Sequence, residues 1–301
     1  MANAHKGDRP LVKRPLVTVI VNTFNDASLV VTAIESALSQ SWRNLEVLVY
    51  NNASADNTSY LVRKISDPRV ELIDAKNHTN LSTARNLALE SARGEFVCFL
   101  DSDDTWHPEK VETQVRAMRQ SNLDFCCSNF RFSDEGEVRP PTFVGQHLNR
   151  ILHSIPFEIC YPAALSTIMF KRSVLEGKPF DQSTHITGDY RLVTTLARQG
   201  DWKIIPKALV TITRRPSGQS ATKVQMMVTE LADYSMLLRL DGKTSSSAYV
   251  ALRALEIGLH RGGRTFRRSR LFCQLSRDLR LLAWLPRYFI HRLRHSRLLT
   301  R

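Results

Sequence analysis

The sequence predicts an α/β fold: a mixed, mostly parallel, Rossmann-like sheet flanked by helices, followed by a helical C-terminal extension. Three observations carry that expectation. Short Val/Ile-rich apolar runs alternate with amphipathic segments over roughly the first 120 residues, the pattern of parallel βαβ units. Polar clusters follow three of those runs, at Asn22–Asn25, Asn51–Asp56 and Asp101–Asp104, and ligands gather at the carboxyl ends of strands in such sheets. From Val224 onward strand signals stop and helical spacing takes over.

Taken in order, Leu16–Val21 reads as a buried strand between Pro15 and Asn22. Asp26 is placed to cap a helix that runs to about Ser39, with Val30, Ile34, Ala37 and Leu38 on one face. Leu45–Tyr50 is the second strand, and a helix through Leu61 and Ile65 leads to a third at Val70–Ile73. Ser82 reads as the cap of a helix over Thr83–Ala92, with Gly94 as its left-handed stop. Glu95–Leu100 is the fourth strand, and Pro108 suits the first turn of a helix reaching about Gln120. Between Leu123 and Ile212, strand-like pieces (DFCCSNFRF, STIMFK, WKIIPKALVTITR) surround one helix at about Tyr190–Gln199, which reads as the same domain continued. The expected organisation is a polar leader at 1–15, a catalytic-type domain at 16–223 and a helical extension at 224–301.

Composition narrows the classes. The apolar share of 43% supports a packed core and excludes disorder of the whole chain. No apolar run is long enough to predict a membrane-spanning helix, and the first 15 residues lack the apolar core of a secretory signal. Cys98, Cys126, Cys127, Cys160 and Cys273 include no CxxC pair and mostly sit in apolar runs, so they read as reduced core cysteines. The net charge of +13 is concentrated: residues 261–301 hold twelve arginines and one acid, Asp278, while the rest is nearly neutral. Such a tail suits an anionic partner.

Asp101-Ser102-Asp103-Asp104 sets three carboxylates at a strand end, where a hard divalent cation with oxygen ligands would relieve their repulsion. A solvated Asp-rich turn is the plainer alternative. Arg85 falls in a first helical turn, where backbone N–H groups and the helix dipole already favour an anion. Asp189 opens a helix and taken alone reads as a capping carboxylate. His78, His107 and His185 lack metal spacing and read as structural.

Together these segments resemble the family 2 glycosyltransferases of GT-A fold. TVIVNTFN resembles the opening strand and loop, ESALSQSWRNLEVLVYNNASADNT the second block, and LSTARNLALESARGEFVCFLDSDDTWHPEK the third with its Asp-x-Asp motif. FDQSTHITGDYRLVTTLARQG resembles the block that holds the family's catalytic carboxylate. The resemblance implies that Thr23, Phe24, Asn25 and Asn52 line a nucleotide pocket and that Arg85 and Asp101 contact the nucleotide or its diphosphate. It further implies that Asp101 and Asp103 hold Mg²⁺ or Mn²⁺ and that Asp189 is the general base of an inverting transfer. The sequence departs from the family's usual Asp-Asp-Gly-Ser turn with Asn51-Asn52-Ala53-Ser54, from its usual Pro at Asn22, and from its usual Glu at Gly188.

In Leu275–Leu299 apolar residues recur every three or four positions, and Arg280, Arg287 and Arg294 fall opposite Leu282, with Trp284 and Tyr288 among them. This suits helices lying in an anionic lipid headgroup layer, interrupted at Pro286; a helix packed on the domain itself is the alternative. Nucleic acid is not expected, since the body is neutral and carries no recognition motif. The expected activity is transfer of a sugar from a nucleotide sugar, a UDP-sugar first, to a lipid-linked or surface polysaccharide acceptor at the cytoplasmic face of a membrane. A catalytically weakened nucleotide-sugar-binding partner subunit is the alternative that Asn51-Asn52-Ala53 raises. A nucleotidyltransferase is disfavoured because no Gly-rich, basic loop follows the first strand.

Overall fold

The strands that read as unbroken apolar runs do so because helices cover both their faces. The computed structural model describes residues 14–134, 137–138, 164–214 and 224–240, with scattered positions between 242 and 254. Within these, β1 (Val17–Thr23), β2 (Leu45–Asn51) and β4 (Phe96–Asp101) are buried almost residue for residue. β1 lies between β2 and β4, parallel to both, and β2 is parallel to β3 (Val70–Asp74). The parallel crossovers are made by α1 (Val30–Leu38), α2 (Thr58–Arg63) and α3 (Leu81–Glu90).

The sheet then changes character. β5 (Thr105–Trp106) and α4 (Lys110–Ser121) lead to β6 (Phe125–Asp134), β7 (Glu137–Val138), β8 (Ile168–Lys171) and β9 (Trp202–Arg214). β8 joins the sheet antiparallel between β4 and β6, and β9 runs parallel to β6. The path across the sheet is β3-β2-β1-β4-β8-β6-β9-β5, with β7 on β6, so the strands after residue 123 join the same sheet as β1–β4. α5 (Gly188–Gln199) and α6 (Val224–Leu240) complete the described helices.

Alternation along each strand divides the interior in two. Ile20, Leu48, Val97 and Phe99 face α3 and α5 through Ala84, Ala88, Leu192 and Val193. Val19, Val21, Val47, Val49, Cys98 and Leu100 face α1 and α4 through Val30, Ile34, Val111 and Val115. Cys98, Cys126 and Cys127 are buried free thiols in these layers, as their apolar settings predict. Lys110 is also fully buried: its ammonium donates to Gln114 Oε1 at 2.7 Å and lies 3.8 Å over the Trp106 ring. Burial pulls its pKa below the ordinary lysine value.

Three local expectations need correction. Asp26 does not cap α1 with its side chain; its backbone carbonyl accepts from Leu29 and Val30, while its carboxylate accepts from Ser102 Oγ. The cap of α3 is Asn80, whose Oδ1 accepts from Thr83 N at 2.8 Å, because the helix starts two residues earlier than the spacing suggested. Gly94 is not a left-handed stop. It is required by a close approach: a Cβ there would lie 2.6 Å from Thr18 N, and its own N–H donates to Thr18 Oγ1. Among the described residues no helix is long and apolar enough to cross a membrane. The leader up to residue 13, Cys160, Cys273 and the Arg-rich stretch 261–301 lie outside the described residues.

Candidate active site

Strand register brings the polar clusters together. Thr23 pairs with Asn51, and Asn22 with Asp101, so the carboxyl ends of β2, β1 and β4 stand side by side. Thr23 is only 2% exposed, and its Oγ1, like Asn22 Nδ2, is buried without a hydrogen-bond partner. Orphaned polar atoms cost free energy unless a ligand or water meets them. Beyond Thr23 the chain turns through Asn25, in the left-handed region at φ 52°. Asn25 N donates to Ser54 Oγ and Asn25 Oδ1 accepts from Ala55 N, which locks this loop to the one after β2. Phe24 projects from the same turn, 45% exposed, with its ring 4.1 Å from that of His78.

The loop after β2 is built by amides. Asn51 Nδ2 donates to Asp74 Oδ1, and Asn51 Oδ1 accepts from Ser54 N. Asn52 Oδ1 accepts from both Thr79 N and Thr79 Oγ1, while its Nδ2 donates to Thr79 O at 2.8 Å. Both lone pairs of that carbonyl are therefore engaged within the protein, and one N–H remains for another group. His78 Nδ1 donates to the backbone carbonyl of Asn52, which ties its ring to the loop after β2. Ala53 stands in the left-handed region at φ 59°, a conformation that costs a non-glycine residue about 1–2 kcal/mol.

Arg85 rises from the first turns of α3, nearly buried. Its guanidinium lies 3.4 Å from Asp101 Oδ1 and 5.5 Å from the centre of the Phe180 ring. The Arg85 and Asp101 picked out in the sequence are thus brought into contact. Asp101 keeps 41% of its side chain exposed, and Asp103 is half-buried. Asp104 turns inward instead: it is buried, accepts from Thr213 N and so ties the end of β9 to the acidic turn. Burial, followed by the nearby charge of Asp101 and of Asp103, pushes its carboxyl well above the usual carboxylate range.

Two accessible carboxylates beside a third that resists ionisation form a donor set suited to a hard divalent cation. Among the described residues no three His, Cys, Asp or Glu side chains form a ready-made cage. Asp101 and Asp103 are the two of these carboxylates that stay accessible.

Asp189 is the second residue of α5, half-buried, with its Oδ1 accepting from Tyr190 N. The segment before it is sewn to α3. Asn86 Nδ2 donates to Phe180 O at 2.7 Å and Asn86 Oδ1 accepts from Phe180 N at 3.0 Å. Asn80 Nδ2 donates to Gln182 O, and Ser82 Oγ bonds Thr184 Oγ1. Gly188 sits so close that a Cβ would lie 2.4 Å from Ser82 Oγ, which explains the absence of the Glu that the family pattern would place there. The first turns of α3 and α5, carrying Arg85 and Asp189, are therefore neighbours. The sequence alone gave Asn86, Phe180 and Ser166 no role. Ser166 Oγ accepts from Asp101 N, and Ser166 O from Trp106 Nε1, which steadies the acidic turn.

Residues 18–176, more than half of the chain, match the family described as Glycosyl transferase family 2. The chain belongs to that family. As a family 2 glycosyltransferase chain it is 35% identical over 123 residues to the Escherichia coli UDP-Glc:alpha-D-GlcNAc-diphosphoundecaprenol beta-1,3-glucosyltransferase WfgD, a match covering 41% of this chain and 49% of WfgD. It is 33% identical over 211 residues to the succinoglycan biosynthesis protein ExoO of Rhizobium meliloti, over 65% of this chain and 60% of ExoO. The matches thus span about half or somewhat more of the curated relatives' length. In fold it resembles S. aureus TarS in complex with UDP-GlcNAc, with TM-score 0.58, 20% identity, and coverage of 91% of this chain and 79% of TarS. It also resembles the Pyrobaculum calidifontis mannosyltransferase PcManGT in complex with GDP-Man and Mn²⁺, with TM-score 0.59, 20% identity, and coverage of 95% and 88%. The expected GT-A architecture is the observed one.

Proposed function

We propose that this chain is an inverting glycosyltransferase that moves a sugar from a nucleotide sugar, a UDP-sugar first, to a lipid-linked or surface-polysaccharide acceptor. The observation that carries the reading is the convergence of three strand ends on the Arg85–Asp101 pair, with the α5 turn bearing Asp189 docked against α3. The names of WfgD and ExoO support a diphospholipid or polysaccharide acceptor.

In this reading the nucleoside lies over the ends of β1 and β2. Thr23 Oγ1 gains a partner, Phe24 offers a ring face, and Asn25 and Asn52 shape the wall. Arg85 meets the diphosphate with charged donors in a planar fork. Asp101 and Asp103 hold Mg²⁺ or Mn²⁺, which when bound neutralises charge on the departing nucleoside diphosphate. Asp189 accepts the proton from the acceptor hydroxyl as that oxygen attacks the anomeric carbon, and no protein nucleophile is needed. The Arg-rich stretch 261–301 holds the enzyme on the anionic cytoplasmic face of a membrane.

The test is hydrolysis of UDP-glucose, UDP-N-acetylglucosamine and GDP-mannose, with Mn²⁺ and with excess chelator, by the wild type and Asp189→Asn. Metal-dependent release of the nucleoside diphosphate, lost in Asp189→Asn while UDP still binds within about twofold, supports the reading. Binding of UDP without turnover, even with membrane extracts as acceptor, favours a catalytically weakened partner subunit instead.

A further inference from the structure

α5 begins without a cap of its own. Its N-cap residue, Thr187, makes no side-chain capping bond, and the first N–H groups of any helix lack intrahelical partners. An acceptor from α6, beyond the residues 18–176 that match the family, instead takes the N–H groups of the three residues that lead into the helix. Glu230, 8% exposed, turns its carboxylate onto the chain just before α5. Its Oε1 accepts from His185 N at 2.6 Å, and its Oε2 accepts from Ile186 N at 3.1 Å, Thr187 N at 2.8 Å and Thr187 Oγ1 at 2.7 Å. One buried carboxylate thus gathers three consecutive backbone N–H groups and a hydroxyl. A negative charge is also what the positive end of the α5 dipole favours.

The same seam is reinforced further along. Arg191, paired with Asp181, reaches the Glu230 carbonyl and lies 5.0 Å from the centre of the Tyr234 ring. Tyr234 Oη in turn meets Thr194 and Thr195 and accepts from Arg198. The segment 180–187 is therefore gripped from both sides, by Asn80, Ser82 and Asn86 of α3 and by Glu230 of α6. Asp189 follows it directly.

We propose that Glu230 is a positioning residue for the transfer reaction: it fixes the first turn of α5 and so the direction in which Asp189 meets the acceptor. On this view α6 is a working part of the active site, although it lies outside the matched family region. The inference rests on Asp189 being the base. A displacement of about 1 Å at a reacting group can cost on the order of 10²-fold in rate. Loss of one oxygen acceptor for Thr187 or His185 is enough to free that turn. Glutamine offers a single acceptor oxygen and turns N–H groups toward donors, so it keeps the volume and destroys the latch.

The experiment compares wild type, Glu230→Gln, Glu230→Asp and Asp189→Asn as full-length chains. It uses whichever of UDP-glucose, UDP-N-acetylglucosamine and GDP-mannose the wild type hydrolyses fastest with Mn²⁺. Readouts are kcat, donor KM, the melting transition, and hydrogen exchange of the amides of residues 185–187. The expected result for Glu230→Gln is a folded protein with donor KM within about twofold, kcat lower by about tenfold or more, and faster exchange at 185–187, with Glu230→Asp intermediate. The proposal is overturned if Glu230→Gln keeps the wild-type kcat, or if its kcat falls only in proportion to the folded fraction. If Asp189→Asn itself turns over like wild type, or the wild type turns over no donor even with membrane extracts as acceptor, the assignment of the base fails, and the positioning role falls with it. An inactive Asp189→Asn beside a fully active Glu230→Gln removes the positioning role alone.

Discussion

Replacing Asn86 by Ala should be among the most damaging single truncations near the site, although Asn86 touches no proposed substrate group. Its amide grips both backbone groups of Phe180, donating to the carbonyl at 2.7 Å and accepting from the N–H at 3.0 Å. Both residues are buried. A buried backbone group deprived of its partner costs about 1–3 kcal/mol, so the pair amounts to about 2–6 kcal/mol. At about 2–4 °C per kcal/mol for a domain of this size, Tm should fall by roughly 5–20 °C. Phe180 also supports the Arg85 guanidinium and packs edge-on against Phe99 at 5.1 Å, so UDP affinity should weaken with it. Scanning calorimetry measures the first effect and titration calorimetry with UDP the second. Asn86→Asp is the diagnostic partner: its carboxylate still accepts from Phe180 N–H but opposes the Phe180 carbonyl, so it should not recover Asn86→Ala. A Tm for Asn86→Ala within about 2 °C of wild type would refute the reasoning.

Three further expectations follow from the same contacts. Gly188→Ala should destabilise the protein by about 1–3 kcal/mol, because its Cβ falls 2.4 Å from Ser82 Oγ; adding Ser82→Ala should recover part of that loss in denaturant titrations. Asp67 is held at about 2 by the Arg69 guanidinium and by Arg69 N–H, below its ordinary 3.8. Its contribution is present above pH ~4 and is lost as pH falls toward 2, so Asp67→Asn should flatten stability against pH in that window. Asp101→Asn should abolish metal-dependent donor hydrolysis, with the Tm held within a few degrees, since Asp101 is half-exposed.

The parallel half of the sheet was legible because buried strands are written as apolar runs and their polar ends stand out against them. Thr23, Asn52 and Asp101 could be brought to one edge from that pattern alone. Contacts between segments distant in the chain were not legible. Asn86 looks like any helical amide until Phe180, 94 positions later, arrives beside it. Lys110 is fully buried between Trp106 and Gln114, a setting made by the packing of α4 on the sheet. Gly94 carried a helix-stop signal because glycine has two uses, and only the approach of Thr18 distinguishes them. Glu230 lies in a helix whose own periodicity says nothing about residues 185–187, whose N–H groups it accepts.

The sheet's outer margins bear on how densely such a protein can be gathered. Among the described residues one flank ends in β5, two residues long, which pairs with Val210 and Thr211 of β9. The opposite flank ends in β3, whose partly exposed run includes Glu71 and Asp74, with Arg93 reaching Glu71 and Arg63 reaching Asp74. Ionised groups along the β3 flank discourage edge-to-edge stacking of molecules there. Copies crowded together in two dimensions would on this account stay individually folded instead of zipping into ribbons.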